Sequence, residues 1–118
     1  MIYVIDDDRD FAECVAQMIR KIARSEVAIF GNGVEAIAAM DEKMPELIFL
    51  DVLLDGPDGF TFLNEIMSYS DTEKIPIVIM SSLAIRQGGL ENYGVVAVLN
   101  KAEMTPSDVR AILRSYVK

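Results

Sequence analysis

The sequence predicts an α/β fold, a five-stranded parallel sheet with helices on both faces. Three observations predict it. Short apolar runs alternate with amphipathic segments along the chain, and no repeat, low-complexity tract or linker interrupts them. The run "LIFL" is almost wholly apolar, as a strand covered on both faces requires. Polar residues capable of chemistry stand immediately after the first, third, fourth and fifth runs.

The elements follow in order. "IYVI" (2–5) reads as a buried strand, and Asp8 to about Arg24 as a helix with Phe11, Val15, Met18 and Ile22 on one face. Cys14 falls among these apolar residues and reads as core filler rather than a reactive thiol. "VAIF" (27–30) is a second strand and "GNG" (31–33) a turn. Val34 to Lys43 is a helix with Ile37 and Met40 inward, ended by Pro45. "LIFL" (47–50) is the third strand, "DGPDG" (55–59) a loop, and Phe60 to Tyr69 a helix carrying Phe60, Leu63, Ile66 and Met67. "IPIVIM" (75–80) is the fourth strand, with Pro76 tolerable near its start. Leu83 to Tyr93 should hold a short or irregular helix, because Gly88 and Gly89 each cost ~1 kcal/mol in a helix interior. "VVAVL" (95–99) is the fifth strand. In "TPSD" (105–108), Thr105 is an N-cap and Pro106 a first helical residue, opening a last helix to about Val117.

Five strands alternating with five helices, joined by right-handed crossovers, leave few topologies. The flavodoxin-like doubly wound (βα)5 order, 2-1-3-4-5, fits best, with residues 1–118 as one domain.

Composition narrows the function. At 52% hydrophobic residues, the chain can bury a core and is not a disordered segment. Its apolar runs fall short of the ~18 residues of a membrane span, and no signal peptide is legible, so the cytoplasm is the expected location. A net charge of -8 argues against a nucleic-acid partner. A single cysteine excludes an internal disulfide, and the lack of histidine excludes imidazole-based catalysis and ligation. Any metal must be held mainly by oxygens, which points to Mg²⁺, Mn²⁺ or Ca²⁺.

Ligands of such sheets bind beyond the C-terminal strand ends, near the switch point between the first and third strands. Asp6, Asp7 and Asp8 follow the first strand, Asp51 the third, Ser81 and Ser82 the fourth, and Asn100 and Lys101 the fifth. Converging carboxylates repel, and a divalent cation offsets that repulsion. Mg²⁺, an ammonium and a hydroxyl together are equipped to hold a phosphoryl group, with Asp51 as the attacking carboxylate. Each residue also has a structural reading. The aspartates can cap a helix, with Asp8 suited to that task, Ser81 can be a strand-end hydroxyl, and Lys101 a solvated loop residue. Asp51, an acid set in an apolar run, is the hardest to dismiss.

These residues resemble the receiver domain of two-component response regulators, including the single-domain chemotaxis type. The resemblance spans essentially the whole chain: "YVIDDDRD", "GNGVEAI", "LIFLDVLLDGPDG", "IPIVIMSS" and "VLNKA" match the family's successive motifs. It implies that Asp51 accepts a phosphoryl group from the phosphohistidine of a sensor kinase or phosphotransfer protein. It implies Mg²⁺, with Mn²⁺ as a substitute, held by Asp7, Asp51 and the Leu53 carbonyl, with Asp6 acting mostly through water. Ser81 and Lys101 would contact the phosphoryl oxygens, and the modified domain would switch a surface read by a downstream effector. A dimer formed on phosphorylation is a further option; DNA and membrane contacts are not implied. Such a domain is no enzyme beyond its own phosphorylation and dephosphorylation.

The chain departs from the family pattern at several positions. Asp55 replaces the usual proline after the phosphoacceptor strand, Ala102 the proline after Lys101, and Val98 the usual switch aromatic. A trans bond is expected before Ala102, since a cis one costs ~3 kcal/mol. Leu53 and Leu83 occupy positions that in the family influence the hydrolytic water, and neither side chain can hydrogen-bond one, so slow autodephosphorylation is expected. Two other readings use the same residues: a pseudo-receiver that works unphosphorylated, and a small phosphohydrolase with an aspartyl nucleophile. The second normally needs a cap or more strands, and its nucleophile after the first strand.

Overall fold

The computed structural model describes residues 1–51, 59–82 and 93–117. Five strands, β1 (Ile2–Ile5), β2 (Val27–Phe30), β3 (Leu47–Asp51), β4 (Ile77–Ser81) and β5 (Val95–Asn100), form one sheet in the order β2-β1-β3-β4-β5. Every neighbouring pair is parallel. The helices among the described residues are α1 (Arg9–Ile22), α2 (Gly33–Met40), α3 (Gly59–Met67) and α4 (Pro106–Tyr116). The expected helix over 83–93 falls almost entirely outside the described residues, as do Leu53, Asp55, Leu83, Gly88 and Gly89.

Successive strand residues point to opposite faces, so each strand serves two cores. Tyr3, Ile5, Ile48, Leu50, Ile77 and Ile79 pack on one side, against Ala36, Phe62, Leu63 and Ile66 of α2 and α3. Ile2, Val4, Leu47, Phe49, Val78 and Met80 pack on the other, against α1 and α4. This is why the central runs lack polar alternation.

Local chemistry fixes the helix ends. Asp8 accepts from the Phe11 amide and caps α1. Asn32 does the same for α2 through the Glu35 amide. Thr105 and Asp108 exchange bonds in a capping box that opens α4, with Pro106 at its start. Gly94 enters β5 at φ 80°, where a Cβ would stand 3.2 Å from the Ile75 carbonyl oxygen, so glycine is required there.

Two expectations need correction. The buried stripe of α1 is Ala12, Val15, Ala16 and Ile19, while Phe11 and Met18 are only half-buried and Cys14 is exposed rather than core. The helix lies close to the sheet, so small alanines occupy its centre line and the larger side chains flank it. Helix α2 ends at Met40, well before Pro45, and its inward residues are Ala36 and Met40 with Ile37 at the margin.

Candidate functional site

The sheet register brings the polar strand ends to one edge. Ile5 pairs with Leu50, so Asp6 and Asp51 emerge side by side at the junction of β1 and β3. Ser81 pairs with Asn100, and the Lys101 amide donates to the Ser81 carbonyl at 2.8 Å, which continues the ladder one residue further. The Ala102 amide donates to Asn100 Oδ1 at 2.8 Å and turns the chain after Lys101. Among the described residues no peptide bond is cis, so the Lys101–Ala102 bond is trans as expected.

Three of the four central side chains are enclosed: Asp6 is 1% exposed, Asp51 4% and Ser81 0%. The Lys101 side chain, 16% exposed, reaches between the acids. Its Nζ lies 2.7 Å from Asp6 Oδ2 and 3.2 Å from Asp51 Oδ2. Asp6 Oδ1 accepts from the Asp8 amide at 2.9 Å, while the buried Oδ2 is held by the charge of Lys101 without an aligned hydrogen bond among the described residues. Lys101 Nζ also stands 4.6 Å from the centre of the Phe11 ring, a cation–π contact. Phe11, expected on the core face of α1, instead borders the site, as an aromatic in the first helical turn beside an acidic cluster can.

Burial pushes the Asp6 carboxyl above its ordinary value; Lys101 and the Asp8 amide oppose the rise and the charge of Asp51 adds to it. Burial pulls the Lys101 ammonium down, but its contacts and charge interactions with Asp6 and Asp51 outweigh this and raise it. The lysine therefore stays charged and Asp6 is its closest counterion.

Asp7 is exposed, and carboxylate oxygens of Asp6, Asp7 and Asp51 lie within 4.8 Å of one another. Three acids facing one lysine leave excess negative charge. The all-oxygen donor set, open to solvent at Asp7, suits a hard divalent cation. Val98, half-buried, packs against the α2–α3 core, and on β4 it pairs with Ile79.

A family model for the response regulator receiver domain matches residues 2–114. Response regulator Rre1 of Synechocystis sp. is 22% identical over 98% of this chain, which spans 51% of that protein's length. Among solved structures, a sensor protein from Polaromonas sp. JS666 superposes with a TM-score of 0.85 at 22% identity, covering 98% of this chain and 93% of that one. The receiver domain of a sensor histidine kinase from Pseudomonas aeruginosa PAO1, which has a magnesium ion coordinated in its active site cleft, superposes with a TM-score of 0.82 at 22% identity, covering 98% and 94%. At these identities the two superpositions carry the fold.

Proposed function

The chain belongs to the response regulator receiver domain family, and from that membership we propose that Asp51 accepts a phosphoryl group from a phosphohistidine in a Mg²⁺-dependent transfer. The observation that supports this most is the Lys101 ammonium lying between Asp6 and Asp51, with Ser81 on the adjacent strand end. In the transfer a carboxylate oxygen of Asp51 attacks phosphorus. The phosphorus–nitrogen bond of the phosphohistidine breaks, and its electron pair leaves with the imidazole. The product is an acyl phosphate on Asp51. Lys101 and the Ser81 hydroxyl orient the phosphoryl oxygens and offset their charge. Asp6, Asp7 and Asp51 would hold Mg²⁺ or Mn²⁺, together with the Leu53 carbonyl from outside the described residues. That cation, when bound, neutralises charge on the phosphoryl oxygens. Asp6 supports the site chiefly through Lys101.

We treat residues 1–118 as one receiver unit, acting in the cytoplasm between a sensor histidine kinase or phosphotransfer protein and an effector that reads its surface. It turns over nothing besides its own phosphorylated form. With Leu53 and Leu83 unable to bond a hydrolytic water, the acyl phosphate should persist; loss of label within seconds in Mg²⁺ contradicts that. Beryllofluoride with Mg²⁺ tests the reading, because it mimics the phosphoryl group on the carboxylate. Amide shifts around the strand ends are expected in the parent and not in Asp51→Asn. Identical responses of both proteins would instead favour a domain that works unphosphorylated.

A further inference from the structure

The chain carries a net charge of -8 with only eleven bases, yet four of them, Lys21, Arg24, Arg110 and Arg114, line one groove of about 620 Å³. It runs between the C-terminal turn of α1 and the face of α4 that carries Arg110, Leu113 and Arg114, and among the described residues no acid lines it. Leu113 and Val117 give it an apolar floor. Among the described residues, the bases in ion pairs are Arg9, Lys43 and Lys101, and none of the four groove cations is in one. Lys21 and Arg114 stand in the last turns of their helices, where a cation offsets the helix dipole. Arg24 lies beyond the end of α1 and Arg110 in the middle of α4, and neither has that local role.

We propose that this groove binds an acidic, partly apolar segment of another protein. Unpaired like charges held around a concave surface create a positive potential that an anionic partner relieves. The apolar floor selects a ligand that also carries aliphatic side chains, which a free phosphate or a nucleic-acid backbone lacks. A lipid surface is flat and cannot enter a groove. The remaining surface of this acidic chain repels nucleic acid. Lys21 of the groove lies thirteen residues along α1 from its cap Asp8, whose amide binds Asp6, about 20 Å at helical rise. The occupant therefore binds away from the phosphoryl chemistry, and the proposal does not depend on it.

The test is anisotropy titration of the full chain with a short fluorescein-labelled peptide of repeating Glu-Glu-Leu units at low salt. The acidic peptide is expected to bind, and to weaken as salt rises. Arg24→Glu with Arg110→Glu should weaken it about tenfold or more, while the charge-matched pair Lys43→Glu with Lys74→Glu leaves it within about twofold. All four positions are exposed, and far-UV circular dichroism checks that both variants fold. Shift mapping on the parent gives a reading free of substitutions: peptide-induced changes should centre on residues 21–25 and 110–117. No binding, equal loss in both variants, or shifts elsewhere overturn the proposal. So does tighter binding of a Lys-Lys-Leu peptide, single-stranded DNA or phosphatidylglycerol vesicles.

Discussion

Replacing Lys101 by Met removes the cation that sits between two buried acids, and the cost can be worked from the distances. At an effective dielectric of about 20, contacts of 2.7 and 3.2 Å represent roughly 6 and 5 kcal/mol of gross attraction. Desolvation of the three groups and repulsion between the acids cancel most of it. What emerges when one partner is deleted is the charge left buried, about 3 kcal/mol at neutral pH. Methionine keeps aliphatic bulk beside Phe11, so the loss reports charge rather than packing. Burial already raises the Asp6 carboxyl, with Lys101 opposing; without Lys101 it rises further. A raised carboxyl makes the folded state the better proton binder, so stability grows as pH falls through the folded value toward the unfolded one. The variant should therefore regain stability on acidification, and its gap to the parent should narrow. Lys101 itself is raised, so its contribution is fully present below its ordinary value and is lost only as pH climbs through the folded one. Urea unfolding followed by circular dichroism, in EDTA at about pH 7.5 and 5, reads both effects. Equal stability of variant and parent at neutral pH, or a gap that does not narrow in acid, would show that Lys101 does not offset the buried acids.

Two further outcomes follow from the packing. A Cβ at Gly33 would stand 2.7 Å from Phe62 Cδ1, so Gly33→Ala should cost about 1–2 kcal/mol in urea unfolding, overpacking outweighing the gain in helix preference. Adding Phe62→Leu should recover part of that, and an alanine variant as stable as the parent contradicts the close α2–α3 contact. Tyr3 is buried and donates to the Lys43 carbonyl at 2.6 Å; burial, then the charge of Glu42, raise its phenol above 10.0. Its phenolate should form last in an absorbance titration, a step that Tyr3→Phe abolishes. Stability should fall as pH rises above about 10, because the unfolded chain ionises first. Simultaneous titration of all four tyrosines would contradict its burial.

The sheet was legible because its strands are short, apolar and punctuated, and the candidate site because its members stand at or just past the end of each strand. Parallel pairing then does the rest: register alone carries Asp6, Asp51, Ser81 and Lys101 to one edge. Helix phase was less legible. Large apolar residues dominate a pattern search, yet α1 seats Ala12 and Ala16 against the sheet, which displaced Cys14 from the core to the surface. The Lys101–Phe11 contact joins positions ninety residues apart in sequence, so the aromatic beside the acidic cluster signals a site residue but not its partner. The buried Thr72, whose hydroxyl donates to the Ile66 carbonyl in the last turn of α3, is likewise visible only in three dimensions.

Whether Asp51 takes up a phosphoryl group is read by phosphorylation of the intact chain with a small phosphodonor, or with a phosphohistidine protein, and location of the site by mass spectrometry. One hydroxylamine-sensitive phosphoryl group per chain is expected, on the peptide containing Asp51, formed with Mg²⁺ and absent with EDTA or in Asp51→Asn. Label on Ser81 instead, equal labelling of Asp51→Asn, or a parent chain that stays unmodified with a competent donor and Mg²⁺ would contradict it.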